Sequence, residues 1–383
     1  MRVSVRQENL ARGLGIVGRA VESRPTLPVL ANILLRTGDE GDARLRLSAM
    51  NMSSGLSISC WIGAQVGETG AITLPRNTLT DLVNNLSPER VDLSLEDSTR
   101  SVTVRCGANV STLRGIDAGE FPLLPESNGS DEVSVPADLL RNMIRQTVFA
   151  TAREDNRPVL TGVFTEFKDK VLTMAAADGY RLAVRTGELE QNFEEPRSMV
   201  IPGRALDEVA RIISDGDDEV RITFPGERDI VLFHLNNVLV SSQLLEDRYP
   251  DFSAVIPSDF STSTEVYTGE LLRACKRAAI FARDASGSAR VLVRPADNPS
   301  DPGEVVIAGK SNERGDNTDM VDAHVEGGEL DISLNVDYLI DVLNVISDER
   351  VLLQSSGPPG PGVLKPKDRE DFIHVIMPMA RTG

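Results

Sequence analysis

Apolar and polar positions along the chain alternate over short runs and then switch to a helical period, and this switch recurs. RVSVRQENLARGL at 2–14 is an alternating strand, a polar residue and a leucine-led helix. EVSVPADLLRNMI at 132–144 and EVYTGELLRACKRAAIF from Glu265 repeat that order. A second strand and helix follow in each copy: AITLPRNTLTDLVNNL (71–86), MVIPGRALDEVARII (199–213) and DISLNVDYLIDVLNVI (331–346). Pro75 and Pro202 lie 127 residues apart, and Pro202 and the matching Asn335 lie 133 apart. After each second helix come alternating strands: VDLSLEDSTRSVTVRC (91–106), EVRITFPGERDIVLFHL (219–235) and ERVLLQ (349–354). The first two copies close on an aromatic–proline step, GEFPLLP (119–125) and DRYPDFSAVIP (247–257).

The pattern predicts an α+β chain of three repeated domains, 1–127, 128–258 and 259–383, each a weaker twofold repeat of strand, helix and strands. Linkers are expected at PESNGSD (125–131) and IPSDFSTST (256–264). SSGPPGPG (355–362) and the charged LKPKDRED (364–371) read together as an exposed loop of the third domain.

Several motifs resemble catalytic or cofactor sites and fail on context. Gly13-Leu14-Gly15-Ile16-Val17-Gly18 matches GxGxxG, with Asp39 about 20 residues on. However, it sits inside a predicted helix, and Arg24-Pro25 stops the chain soon after. GEVVIAGKS (303–311) nearly spells a phosphate loop, yet its five residues between glycines are strand formers. DGDDE (215–219) suits a turn better than a metal site. His234, His324 and His374 keep no company with a nucleophile. Cys60, Cys106 and Cys275 are odd in number and far apart, as expected of buried thiols. No catalytic residue, cofactor or metal is expected, and the protein reads as no enzyme.

Charge changes the picture. A net −18 argues against broad, tight binding to nucleic acid, which rests on Lys and Arg. Yet the first helices of the copies, 8–22, 137–149 and 270–283, carry eight Lys or Arg against four Asp or Glu. Arg141 and Arg145 are one turn apart, and Arg273 and Arg277 repeat the pair 132 residues later. Arg76, Arg204 and Arg211 add to this on the second helices, whereas Asp337 and Asp341 oppose it. Three equivalent basic faces in an acidic chain suit weak phosphate contact. The N-terminal stretch MRVSVRQENL lacks a signal-peptide core, and no run approaches the roughly 18 apolar residues of a membrane helix, so a cytoplasmic protein with no membrane partner is expected. The apolar HVIMPMARTG at 374–383 is unusual for a chain end.

SRPTLPVLANILL (23–35), AADGYRLAV (176–184), DRYPDF (247–252), LNVDYLIDVLN (334–344) and VIMPM (375–379), in this order and spacing, resemble the bacterial DNA polymerase III beta subunit family, the sliding clamps. The resemblance covers essentially the whole chain. It implies a head-to-tail homodimer closing a six-domain ring, with helices lining the central channel and sheets outside. The ring encircles duplex DNA without sequence preference and tethers the catalytic subunit of the replicative DNA polymerase, giving processivity. It implies a cytoplasmic, nucleoid-associated protein that docks the clamp loader complex, repair and translesion polymerases and mismatch repair proteins through short peptides.

The peptide groove implied by position comprises Leu160, Gly179, Tyr180, Arg181, Leu182, Pro250, Val255, Asn335, Tyr338, Val375, Ile376, Met377, Pro378 and Met379. Methionines suit such a site because they repack around different partners. DNA contacts are expected of Arg24, Arg76, Arg141, Arg145, Arg153, Arg157, Arg204, Arg273 and Arg277, and the dimer contact of Leu113, Ile280 and Phe281. Departures from the family pattern are Ala177, Ala254, Pro158-Val159 and the tail Ala380–Gly383. Two other readings draw on single features: a dinucleotide-dependent oxidoreductase built on GLGIVG, and a monomeric peptide-binding adaptor.

Overall fold

The computed structural model describes residues 1–380 apart from 23, 39–42, 127–131, 154–156, 226–228, 297 and 299–300. Asp39 and most of the 125–131 linker therefore lie outside the described residues. Six α-helices are described: α1 (Gln7–Val17), α2 (Arg76–Asn84), α3 (Ala137–Thr147), α4 (Gly203–Ile212), α5 (Thr268–Ala282) and α6 (Val336–Val345). They fall where the pattern places them. On α3, Leu140, Met143, Ile144 and Thr147 form the buried stripe at helical spacing, with Leu139 half-buried at its side. Each fully buried leucine of this kind contributes about 1.5–3 kcal/mol.

The described residues form two compact units, Met1–Arg141 with Ala205–Leu244, and Asn142–Arg204 with Leu245–Gly383. The first holds a 13-stranded sheet whose main path runs through Glu132–Pro136, Glu219–Thr223, Ile230–Leu235, Val238–Gln243, Leu56–Glu68, Arg2–Arg6, Arg90–Glu96, Ser101–Cys106 and Asn109–Arg114. In it α1 packs on Arg44–Asn51, Leu56–Glu68 and α2. The second unit holds a 10-stranded sheet running from Gly162–Ala177 and Arg181–Pro202 through Phe372–Ile376 to the end strand Leu330–Asn335. There α5 packs on α6 and across Gly303–Ser311 and Gly315–Gly327. Every strand pairing among the described residues in these sheets is antiparallel.

The middle repeat contributes to both units because its strands pair outward in two directions. Val238–Gln243 pairs with Leu56–Glu68 of the first repeat, and Arg181–Pro202 pairs with Phe372–Ile376 of the third. Each of these pairings covers a strand edge that would otherwise be open.

The GxGxxG run has a packing origin. Gly13 lies in α1, and a Cβ there would meet Leu47 Cδ1 at 2.7 Å. The glycine thus lets the helix approach the sheet. GEVVIAGKS is the strand Gly303–Ser311, and 215–216 is a turn closed by Asp217, whose carboxylate accepts from Ser214 N at 2.8 Å. One expectation is corrected at the C-terminal side. The loop ends before Gly362, and Gly362–Pro366 is a strand between Arg350–Ser355 and Phe372–Ile376. Val363 and Leu364 are fully buried, so hydrophobic burial overrides the surrounding Pro, Gly and charge.

Candidate functional site

The expected groove residues gather around the turn 178–180, between Gly162–Ala177 and Arg181–Pro202. Asp178 Oδ1 accepts from the backbone N–H of Tyr180 at 2.9 Å and of Arg181 at 3.0 Å, a side-chain mimic of a backbone turn. Gly179 takes φ +93°, a left-handed conformation that favours glycine. The turn leaves Tyr180 68% exposed. Arg181 turns inward, its side chain 4% exposed. Its guanidinium donates to Asp178 Oδ2 at 3.0 Å, Asp341 Oδ2 at 2.7 Å and the Phe149 carbonyl at 2.7 Å. It also stacks 4.2 Å from the centroid of the Tyr338 ring. Tyr338 is set by the start of α6, where Asn335 Oδ1 accepts from the N–H groups of Asp337 and Tyr338 at 2.9 and 3.3 Å. Partial burial pushes the Tyr338 hydroxyl pKa upward.

Phe372–Ile376 zips onto Arg181–Arg185, with Arg181 opposite Ile376 and Leu182 opposite Val375. The chain then leaves the strand under backbone control: Met377 N–H donates to the Tyr180 carbonyl at 2.8 Å, and Met379 N–H to the Ser333 carbonyl at 2.8 Å. Leu160, in the 3-10 turn Pro158–Thr161, packs with Val159, Val200 and Tyr249. The Tyr249 hydroxyl accepts from Ala177 N–H at 2.8 Å, and burial pushes its pKa up to about 12.

These residues divide into floor and surface. Leu160, Leu182, Val375 and Ile376 are buried beneath the site, the last three in the sheet and Leu160 in the 3-10 turn beside it. Tyr180, Gly179, Pro250, Val255 (43% exposed) and Met377 (39%) are the exposed members, with Asn335, Tyr338, Pro378 and Met379 half-buried among them. The site offers shape and apolar contact.

Sequence reasoning missed four supports of this site: Phe149, Asp178, Tyr249 and Asp341. The D-G step of AADG was a readable turn signal for Asp178. Asp341, which on sequence merely opposed a basic face, is the partner of Arg181. His374 was passed over as well. It is fully buried, its ring stacks 5.3 Å from Phe149, and neither ring nitrogen has a hydrogen-bond partner among the described residues. Burial and then the nearby Arg181 charge lower its pKa to about 3.

The expected basic residues differ in their pairing. Arg141 pairs with Asp138 at 2.5 Å and Asp215 at 3.1 Å, and Arg277 grips Asp319 with two bonds of 2.8 Å. Their charges are largely offset within the chain, by Asp138 one turn earlier on α3 and by Asp215 and Asp319, which are far away in sequence. Arg24, Arg76, Arg145, Arg153, Arg157, Arg204 and Arg273 are exposed, and none has an ion pair among the described residues. Of the residues expected at a dimer contact, Ile280 is 52% exposed at the end of α5 and Phe281 is half-buried. Leu113 is 8% exposed on Asn109–Arg114, the end strand of its sheet.

Three family models match in succession: the N-terminal domain of the DNA polymerase III beta subunit over residues 1–125, its central domain over 134–251 and its C-terminal domain over 253–380. The chain is 32% identical over 380 residues to the beta sliding clamp of Synechococcus elongatus, covering 99% of both. It superposes on the crystal structure of the DNA polymerase sliding clamp from Bacillus subtilis with a TM-score of 0.91 at 29% identity, covering all of both chains. The sliding clamp from Pseudomonas aeruginosa bound to griselimycin is similar with a TM-score of 0.89 at 27% identity, again over all of both chains.

Proposed function

The chain belongs to the DNA polymerase III beta subunit family, and on that premise we propose that it is a DNA sliding clamp. The observation that carries this is the succession of three clamp-domain matches, which leaves little of the chain for any other activity. Two copies joined head to tail give a closed ring of six domains around duplex DNA. The ring tethers the replicative polymerase and has no chemistry of its own to perform. A cytoplasmic, nucleoid-associated location goes with that role.

A ring held by topology needs little phosphate affinity, and strong affinity would impede sliding. A net charge of −18 with a few exposed arginines such as Arg145 and Arg273, which have no ion pair among the described residues, suits this division of labour. Partners would dock by short apolar peptides over Tyr180, Val255 and Met377, which are exposed beside a buried floor. Such peptides would come from the polymerase, the clamp loader and repair proteins. The relative that binds griselimycin supports a ligand site in this family.

The test is retention. Loaded onto nicked circular DNA by a clamp loader, the protein should survive a high-salt wash and be released when the circle is linearised. Equal retention on circular and linear DNA would sink the encirclement reading.

A further inference from the structure

Asp81, Glu208 and Asp341 each stand six residues after the matching positions Pro75, Pro202 and Asn335, so α2, α4 and α6 carry a carboxylate at one equivalent place. Two of the three are gripped by an arginine from the preceding clamp domain. Glu208, its side chain 11% exposed, receives Arg19 at 3.3 Å. Asp341 receives Arg181 at 2.7 Å. Asp81 belongs to the first of the three matched domains. It is exposed and has no cationic partner among the described residues; only its backbone carbonyl is engaged, by Asn85 Nδ2 at 2.8 Å.

The third domain holds the complementary group. Arg19 sits in the 3-10 turn Gly18–Ala20 directly after α1, and Arg283 opens the corresponding 3-10 turn Arg283–Ala285 directly after α5. Arg283 is exposed, with no carboxylate partner among the described residues. Its neighbour Asp284 is already engaged by Ser311 at 2.5 Å and Arg314 at 3.6 Å and does not compete for it. Three residues earlier, Ile280 offers exposed apolar surface.

We propose that Asp81 pairs with Arg283 of a second copy, repeating between chains the contact that Arg19 makes with Glu208 within one. This rests on the dimeric ring proposed above. A carboxylate with no cationic partner among the described residues at one of three equivalent helix positions, and an exposed arginine in the 3-10 turn that follows α5, are complementary in charge. The pair fixes which end of one copy meets which end of the other, because two first domains would oppose Asp81 to Asp81.

Charge reversal tests it. Sedimentation velocity over a concentration series would compare the natural chain, Asp81→Arg, Arg283→Glu and the double variant. Each single reversal should raise the dimer dissociation constant about tenfold or more, and the double should recover most of the loss. Asp81→Arg is the decisive arm, since it brings the net charge from −18 to −16 and general repulsion between two acidic copies would then make the dimer tighter. Thermal melting verifies that the variants fold, and Asp81→Asn, removing only the charge, serves if the arginine disturbs α2. A dimer indifferent to Asp81, or no recovery in the double, overturns the pairing and leaves the ring reading standing. A natural chain that stays monomeric at every concentration overturns both.

Discussion

Arg181 joins three separate stretches of chain with one planar group. Replacing it by Met keeps the aliphatic stem and leaves Asp178 and Asp341 facing each other without their cation. Loss of about 3 kcal/mol is expected in a denaturant titration, with weaker peptide binding because Tyr338 loses the cation that holds its ring. AADGYRLAV marked Arg181 as a site residue, but periodicity could not indicate that its counter-charge lies 160 residues downstream. His374 makes a second case. Its folded pKa, about 3, lies below the unfolded value of roughly 6.5. The unfolded chain takes up a proton in that interval and the native one does not. Stability from this residue is therefore complete above about pH 6.5 and declines as pH falls toward 3, by up to about 4–5 kcal/mol. A His374→Phe variant should lose less stability than the natural chain between those limits; equal pH slopes would refute this.

At the scale of elements, the strand Phe372–Ile376 and the four residues after it have separate tasks. Val375 and Ile376 seal the sheet, whereas Met377 and Met379 run along the site. Deleting 377–383 should leave the melting temperature within a few degrees and abolish binding of a fluorescent peptide of the QLxLF type, and Met377→Ala should weaken it several-fold. Unchanged binding by the shortened chain would remove the docking role of this segment. VIMPM stood out on sequence as an apolar stretch, and burial in the sheet accounts for its first two residues, Val375 and Ile376. Gly362–Pro366 was not readable, since five residues between a Pro/Gly run and a charged run are too short to display a period.

For the molecule as a whole, the threefold repeat stood in the spacing of 127 and 133 residues, while the grouping of the residues into two compact units did not. Which strand edges meet depends on register between repeats, and register is decided by side chains such as Leu182 and Val375 that are far apart in sequence. That distance has a consequence for how the protein is made. Leu182 and Val184 pack against Val375 and Val363, all in one buried cluster. A ribosome adding about 5–20 residues each second reaches Val375 roughly 10–40 seconds after Leu182. Throughout that interval the nascent chain carries an open, apolar strand edge, so its safest passage is with a chaperone over Arg181–Arg185 until Phe372–Ile376 emerges to displace it.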